Sequence, residues 1–244
     1  MSGTRFIYTL QIQDFLRGMP VASAGGAAII CQPGTARKAS LFNPDTGASI
    51  ANPISLTRGN LRFATDTTIA TVDIYGFAPD GGFFVFRGAR PNGDAEIPYS
   101  MDQINHTAII PLAAADFTAA AEGNTGLQFP SGALLLPQVS LRVSTLEAAR
   151  TIEVGLLSSE SGGDADGLLD AVSLAAVGTI VPAVSGTPTL GALLVQNFAT
   201  TPAVNLPDTH GIGPTAARTI TATFSASAAA AQCFALLPYL KPHI

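Results

Sequence analysis

The chain has 244 residues, 47% of them hydrophobic and only 12% charged, with a net charge of −5 and a pI near 5.0. The 12 basic residues are scattered, whereas a nucleic-acid-binding face needs clustered Lys and Arg, so no nucleic-acid partner is expected. No apolar stretch approaches the roughly 18 residues of a membrane span, and MSGTRFIYTLQIQDF lacks a basic n-region ahead of an apolar h-region, so neither a membrane anchor nor a secretory signal is expected.

Breakers recur along the chain at the spacing of an all-β sandwich or barrel. In chain order the predicted strands are Phe6–Ile12, Ala27–Gln32, Ala39–Asn43, Leu61–Ala64, Thr68–Phe77, Phe83–Arg87 and Thr107–Pro111. They continue with Ala133–Val143, Thr151–Leu157, Leu190–Val195, Thr219–Ser225 and Phe234–Tyr239. Val72 and Ile74 alternate with Thr71, Asp73 and Tyr75; Ile220, Ala222 and Phe224 alternate with Thr219, Thr221, Thr223 and Ser225. Asp80-Gly81 in APDGGFFVF marks a hairpin tip. Ala113–Ala121 is a candidate for a short helix, Thr145–Arg150 for one helical turn or equally a stretch of loop, and Ala226–Ala231 for either a helix or a loop of small residues. The expected fold is all-β, with two β-sandwich or jelly-roll-like modules: residues 1–115, an Ala-rich linker or short helix at 116–127, and a C-terminal module at 128–244.

Little in the sequence carries chemistry. Cys31 and Cys233, one in each half, read as small buried hydrophobes with free thiols. His106, His210 and His243 have no metal-ligand spacing to one another or to cysteine. No G-x-S-x-G elbow is present, so no catalytic residues and no cofactor are expected. The sharpest local feature is SSESGGDADGLLD, residues 158–170, where Glu160, Asp164, Asp166 and Asp170 crowd a glycine-rich loop. Calcium favours such oxygen-rich loops, but an EF-hand needs an oxygen ligand where Leu168 stands and a bidentate Glu that is missing. These four acids are the one candidate metal set. The expected reading is a solvated acidic turn with Gly162, Gly163 and Gly167 at positive φ. Phe83, Phe84 and Phe86 read as core. There is no Trp and only 4 Tyr, which weakens a glycan-binding face near Phe83–Arg90 or Tyr99.

Three stretches carry a resemblance. TIEVGLLSSESGGDADGLLDAVSLAAVGTIVP (151–182) resembles a segment of virion proteins of tailed bacteriophages, in which V-G-x-L-x-S-E precedes G-G-D-A-D-G-x-L-D and V-S-x-A-x-x-G. ARTITATFSASAAAAQCFALLPYLKPHI (217–244) is similar to the ending of those proteins, although they often have Gly where Ala226–Ala231 stands. SLFNPDTGASIANPISLTRGNLRF (40–63) resembles a separate phage module with L-[FY]-x-x-x-T-G-x-x-x-x-N-P. The likeness covers roughly half the chain and contains no catalytic signature. It implies a phage structural protein of capsid decoration (cement) or head-spike type, made in the host bacterial cytoplasm and carried in the virion.

The composition points the same way. A surface short of Lys and Glu suits interfaces, so the expected partners are further copies of the chain, as a homotrimer around a three-fold position, and the major capsid protein or other virion proteins. The alternative is a tail, fibre or head-spike component that binds a receptor or glycan. A hydrolase would need paired carboxylates, which only the 160–170 loop offers. The apolar run Phe234–Tyr239 reads as a strand covered on both faces.

Overall fold

The computed structural model describes residues 5–14, 19–20, 25–91, 94–99, 105–136, 138–160, 163–182, 189–194, 216–225 and 230–241. The protein is all-β, 57% strand and 3% helix. It divides into two compact units, Met1–Gln103 and Ile104–Ile244.

The first unit contains β1 (Arg5–Asp14), β2 (Met19–Pro20), β3 (Ala27–Cys31), β4 (Leu41–Phe42), β5 (Ser49–Ile50), β6 (Ile54–Ser55), β7 (Asn60–Asp66), β8 (Val72–Phe77), β9 (Phe83–Ala89) and β10 (Asp94–Tyr99). One sheet has the order β10-β1-β7-β4-β5, with β2 added on β1; the other has the order β6-β3-β8-β9. β1 follows a period of two: Tyr8, Leu10 and Ile12 are buried while Ile7 and Thr9 are exposed. Those three residues join Leu61 and Phe63 of β7 in one core with Ala28, Ile30, Val72, Ile74 and Phe84 from the other sheet. Each such side chain contributes about 1.5–3 kcal/mol by leaving water. Tyr8 and Phe63 are cross-strand partners and stack at 4.9 Å between ring centroids. The expected β8–β9 hairpin forms: Ala78 N–H donates to Gly82 O at 2.8 Å, and Gly81 takes φ +85°.

The stretch 40–63 contributes two side chains that fix loops of this unit. The Asn43 carboxamide oxygen accepts from the backbone N–H of Asp45 and Thr46 at 2.9 and 3.0 Å, which closes the β4–β5 loop with Gly47 at φ +73°. The Asn52 side chain behaves like a short piece of strand. Its Nδ2 donates to Ile30 O and Ala39 O at 2.7 and 2.9 Å, and its Oδ1 accepts from Ile30 N at 3.1 Å.

The second unit contains β11 (Asn105–Ala113), a 3-10 turn (Ala114–Asp116), β12 (Gly123–Phe129), β13 (Leu134–Leu135), β14 (Ser140–Thr145), β15 (Thr151–Leu156), β16 (Asp164–Ser173), β17 (Gly178–Ile180), β18 (Thr189–Leu190), β19 (Arg218–Phe224) and β20 (Gln232–Leu240). Its sheets have the orders β11-β20-β14-β17, with β13 added on β20, and β12-β19-β15-β16-β18. Leu237 and Tyr239 of the first sheet and Ile152, Val154, Ile220 and Phe224 of the second are fully or almost fully buried. Phe129 meets Tyr239 edge-on at 5.6 Å, bridging the two layers.

Three expectations are corrected. The division falls between Gln103 and Ile104, not at 115, because β11 pairs along its whole length with β20 of the C-terminal unit. Within 116–127, the expected linker, the last five residues belong to β12, which pairs with β19. Of the helix expected at Ala113–Ala121 only Ala114–Asp116 forms. Residues 145–150 end β14 and turn at Ala149, φ +57°, which is the loop alternative for that stretch.

Candidate functional site

The acidic segment 158–170 runs from the β15–β16 turn into β16. Glu160 lies in the turn, whereas Asp164, Asp166 and Asp170 are half-buried in the strand and not in the solvated turn expected of them. The shape of the segment follows from glycine. β16 is longer than the strand it pairs with: Val154 faces Leu169 while Leu156 faces Asp164, so the residues between bulge outward. The bulge folds back on β15. A Cβ on Gly155 would lie 2.0 Å from Asp164 O, one on Gly163 1.8 Å from Leu157 O, and one on Gly191 2.0 Å from Asp166 O. These glycines are places where backbone lies on backbone. The expectation of positive φ at Gly163 and Gly167 is therefore corrected: neither adopts it, and a side chain on Gly167 would instead strike Leu193. Gly162 lies outside the described residues.

The four candidate acids do not act as one group. The Glu160 carboxylate accepts from Thr219 N at 3.0 Å and from Thr219 Oγ1 at 2.6 Å, tying the turn to the start of β19. Asp166 is hydrogen-bonded to Asp164. That bond, then burial and the Asp164 charge, hold the Asp166 carboxyl above its ordinary range. Glu153 on β15 is pushed up by burial first, then by the charges of Asp166 and Asp170. Asp166 and Glu153 are thus carboxyls whose surroundings favour the protonated form. Among the described residues, no three His, Cys, Asp or Glu side chains are placed to hold a metal ion.

Other acids, not singled out by the sequence, perform the same task as Glu160. Glu122 accepts from Ser158 N at 2.8 Å and Ser158 Oγ at 2.5 Å. Glu147 accepts from Ala230 N and Ala231 N at 3.2 and 3.1 Å. Asp73, only 5% exposed, accepts from Gly34 N and Gly88 N, both at 2.9 Å. Each carboxylate satisfies N–H groups of a loop, or at Gly88 of a register shift in β9, that no strand partner reaches, a charge-assisted bond of above-average strength. No motif marks them, because donor and acceptor lie 15 to 84 residues apart.

The remaining candidates are framework. His106 is buried on β11 and stacks on Tyr239 at 5.5 Å; His210 and His243 lie outside the described residues. Cys31 and Cys233 are buried thiols in different units. Cys31 Sγ donates to Ala36 O and Cys233 Sγ to Leu112 O, both at 3.6 Å. Burial pushes the Cys233 thiol far up, away from a reactive thiolate. Phe83 and Phe84 are buried, and Phe86 packs on the core of the first unit; the Tyr99 side chain lies outside those described. The Tyr75 hydroxyl is pushed up to about 12 by burial and by Asp73.

What the second unit does present is a surface. β20 alternates strictly: Cys233, Ala235, Leu237 and Tyr239 point into the core, while Phe234, Leu236, Pro238 and Leu240 are half-buried on the outer side. Ile109 lies opposite Leu236, and Leu134, 38% exposed, lies opposite Leu240. Arg142, opposite Phe234, is the one charged residue at the outward positions of β11, β20, β14 and β17. No protein-family model matches the chain, and neither a curated protein nor a solved structure matches it.

Proposed function

We propose that the chain is a non-enzymatic structural protein of a tailed-phage virion, a capsid decoration protein that binds between capsid subunits and stabilises the head. The observation that carries this reading is the outer face of the β11-β20-β14-β17 sheet, apolar along β20 and carrying a single charge. A face of that kind suits the core of a protein interface, where charge is depleted. The phage-like stretches support it. Residues 40–63 supply turns and the Asn52 clip, 151–182 the bulged β15–β16 hairpin, and 217–244 the strand β20 that bears the face. Their side chains tie backbone together. In this reading the chain closes into trimers at three-fold positions of the capsid lattice, is made in the bacterial cytoplasm and ends in the virion.

Titration of purified chain onto capsids lacking it tests the reading. Saturation at hundreds of copies per particle, with the capsid made more resistant to heat, is expected. Saturation at about a dozen copies or fewer would place the chain at a tail or portal vertex, and failure to bind would end the decoration reading. A specific contact should cover at least about 1,000 Å², so Leu236→Asp on the outer face should abolish binding while the chain stays folded.

A further inference from the structure

We propose that β17 is a self-pairing edge, along which two copies of this chain join antiparallel about a two-fold axis at Thr179. The proposal deepens the assembly reading and rests on it only for its biological use. β17 pairs with β14 on one side, through Leu141–Ile180, Arg142–Thr179 and Val143–Gly178. It ends its sheet, and among the described residues no strand lies on its other side. An open edge offers unpaired N–H and C=O groups to any matching strand, and proteins usually guard such edges with charge or proline. β10, at an edge of the first unit, carries Asp94, Glu96 and Pro98. β17 carries no such guard: residues 174–182, LAAVGTIVP, contain no charged residue, and the one proline follows the strand. Val177 and Val181, which flank β17, are the most exposed large hydrophobics among the described residues, at 61% and 72%.

The sequence is self-complementary in one register. With Thr179 on the two-fold axis, Ile180 of each copy lies opposite Gly178 of the other, a large side chain beside none. Val177 of each copy lies opposite Val181 of the other, so the two exposed valines at each end cover one another. The nearest charges are the two Arg142 side chains, each one strand back from the axis opposite Thr179. Three strand spacings, about 14 Å, separate them, more than the Debye length of about 8 Å at physiological salt. A two-fold contact of this kind gives a dimer where it acts alone and links two trimers where three-fold closure also forms.

Sedimentation of the purified chain tests the proposal. The wild type is expected at an even multiple of the 24.9 kDa chain mass. Val177→Lys with Val181→Lys should halve that mass, since each introduced lysine then faces another across the axis. Val177→Lys with Val181→Glu should restore it, because that register pairs lysine with glutamate at both ends. Thr179→Lys, which sets two lysines against each other on the axis, should also halve it. These positions are exposed, so far-ultraviolet circular dichroism and melting should stay close to wild type. A monomeric or strictly trimeric wild type, an unchanged mass in the double lysine variant, or no recovery on charge exchange would each overturn the β17 assignment. Continued capsid binding by the same preparation would then show that the decoration reading survives without it.

Discussion

At the scale of single residues, two chemistries hidden in one loop can be separated by substitution. Gly163 and Gly155 are glycine because backbone oxygen lies where a Cβ would sit. Gly34 is glycine for its φ of +70°, with open space around it. Gly34→Ala should therefore cost about 1 kcal/mol, the left-handed penalty. Gly163→Ala and Gly155→Ala should each cost about 2 kcal/mol or more, because main chain must move; a smaller loss in urea denaturation than that of Gly34→Ala would refute the close approach. The acids of the β15–β16 hairpin make a different prediction. Asp166 and Glu153 titrate above their ordinary values of 3.8 and 4.5. The native state thus favours their protonated forms: that stability is full below the ordinary values and is lost as pH rises through the raised ones. Asp166→Asn keeps a donor for Asp164 and removes the titration. It should stabilise the fold at pH 7 by about 1 kcal/mol or less, given solvent screening, read as a higher melting temperature, and the gain should vanish near pH 3. A drop at pH 7 would show that the ionised acid is doing something useful there, such as holding a cation. The sequence displayed the acids and glycines of this loop plainly. It could not display their roles, because the atoms they answer to, Thr219 for Glu160 and Leu157 for Gly163, are set by the bulge and by β19.

At the scale of elements, strand β20 shows what alternation decides. Its apolar run reads as a strand covered on both faces, and the structure gives it one fully buried face and one half-buried face. Leu237→Asp puts a carboxylate into the core and should cost about 4 kcal/mol or more. Leu236→Asp, one residue earlier and on the outer side, should cost about 1 kcal/mol or less in the isolated chain. Similar losses in urea denaturation would mean that the outer face is as closed as the inner one. Asn52 offers a second test. Asn52→Ala leaves Ile30 and Ala39 without their side-chain partners and should cost about 1–3 kcal/mol. Asn52→Asp should be worse, since it faces a carboxylate toward the carbonyls that Nδ2 now serves; a milder Asp variant would contradict the clip. Strands with apolar alternation, such as β1, β8 and β19, were legible in the sequence. β10, β12 and β16 were not: DAEIPY, GNTGLQF and DADGLLDAVS are rich in acids, Gly or Pro and owe their strand form to β1, β19 and β15 beside them. The Ala-rich stretch after β11 misled for the same reason. Ala114 N–H donates to Ala231 O at 2.9 Å, so long-range pairing overrides helix propensity there.

At the scale of the whole molecule, the low charge and the all-β fold belong to one design. With 17 acids and 12 bases in 244 residues, little charge is available to hold copies apart. Several acids, Asp73, Glu122, Glu147 and Glu160 among them, are already engaged with backbone N–H groups of their own chain. What the second unit turns outward is the apolar strand β20 and the uncharged edge β17. Association through such surfaces should depend on salt in a characteristic direction. Contacts between charged patches weaken as salt screens them. Here the long-range term between copies is repulsion from a net charge of −5 each, and salt screens that repulsion while leaving the apolar contact intact. The self-association constant should therefore hold steady or rise between about 0.05 and 1 M sodium chloride, where the Debye length falls from more than 10 Å to about 3 Å. Sedimentation equilibrium across that range checks the sign. A constant that falls steeply with salt would mean that ion pairs hold the copies together, and would move the interface away from β20 and β17 to the charged turns.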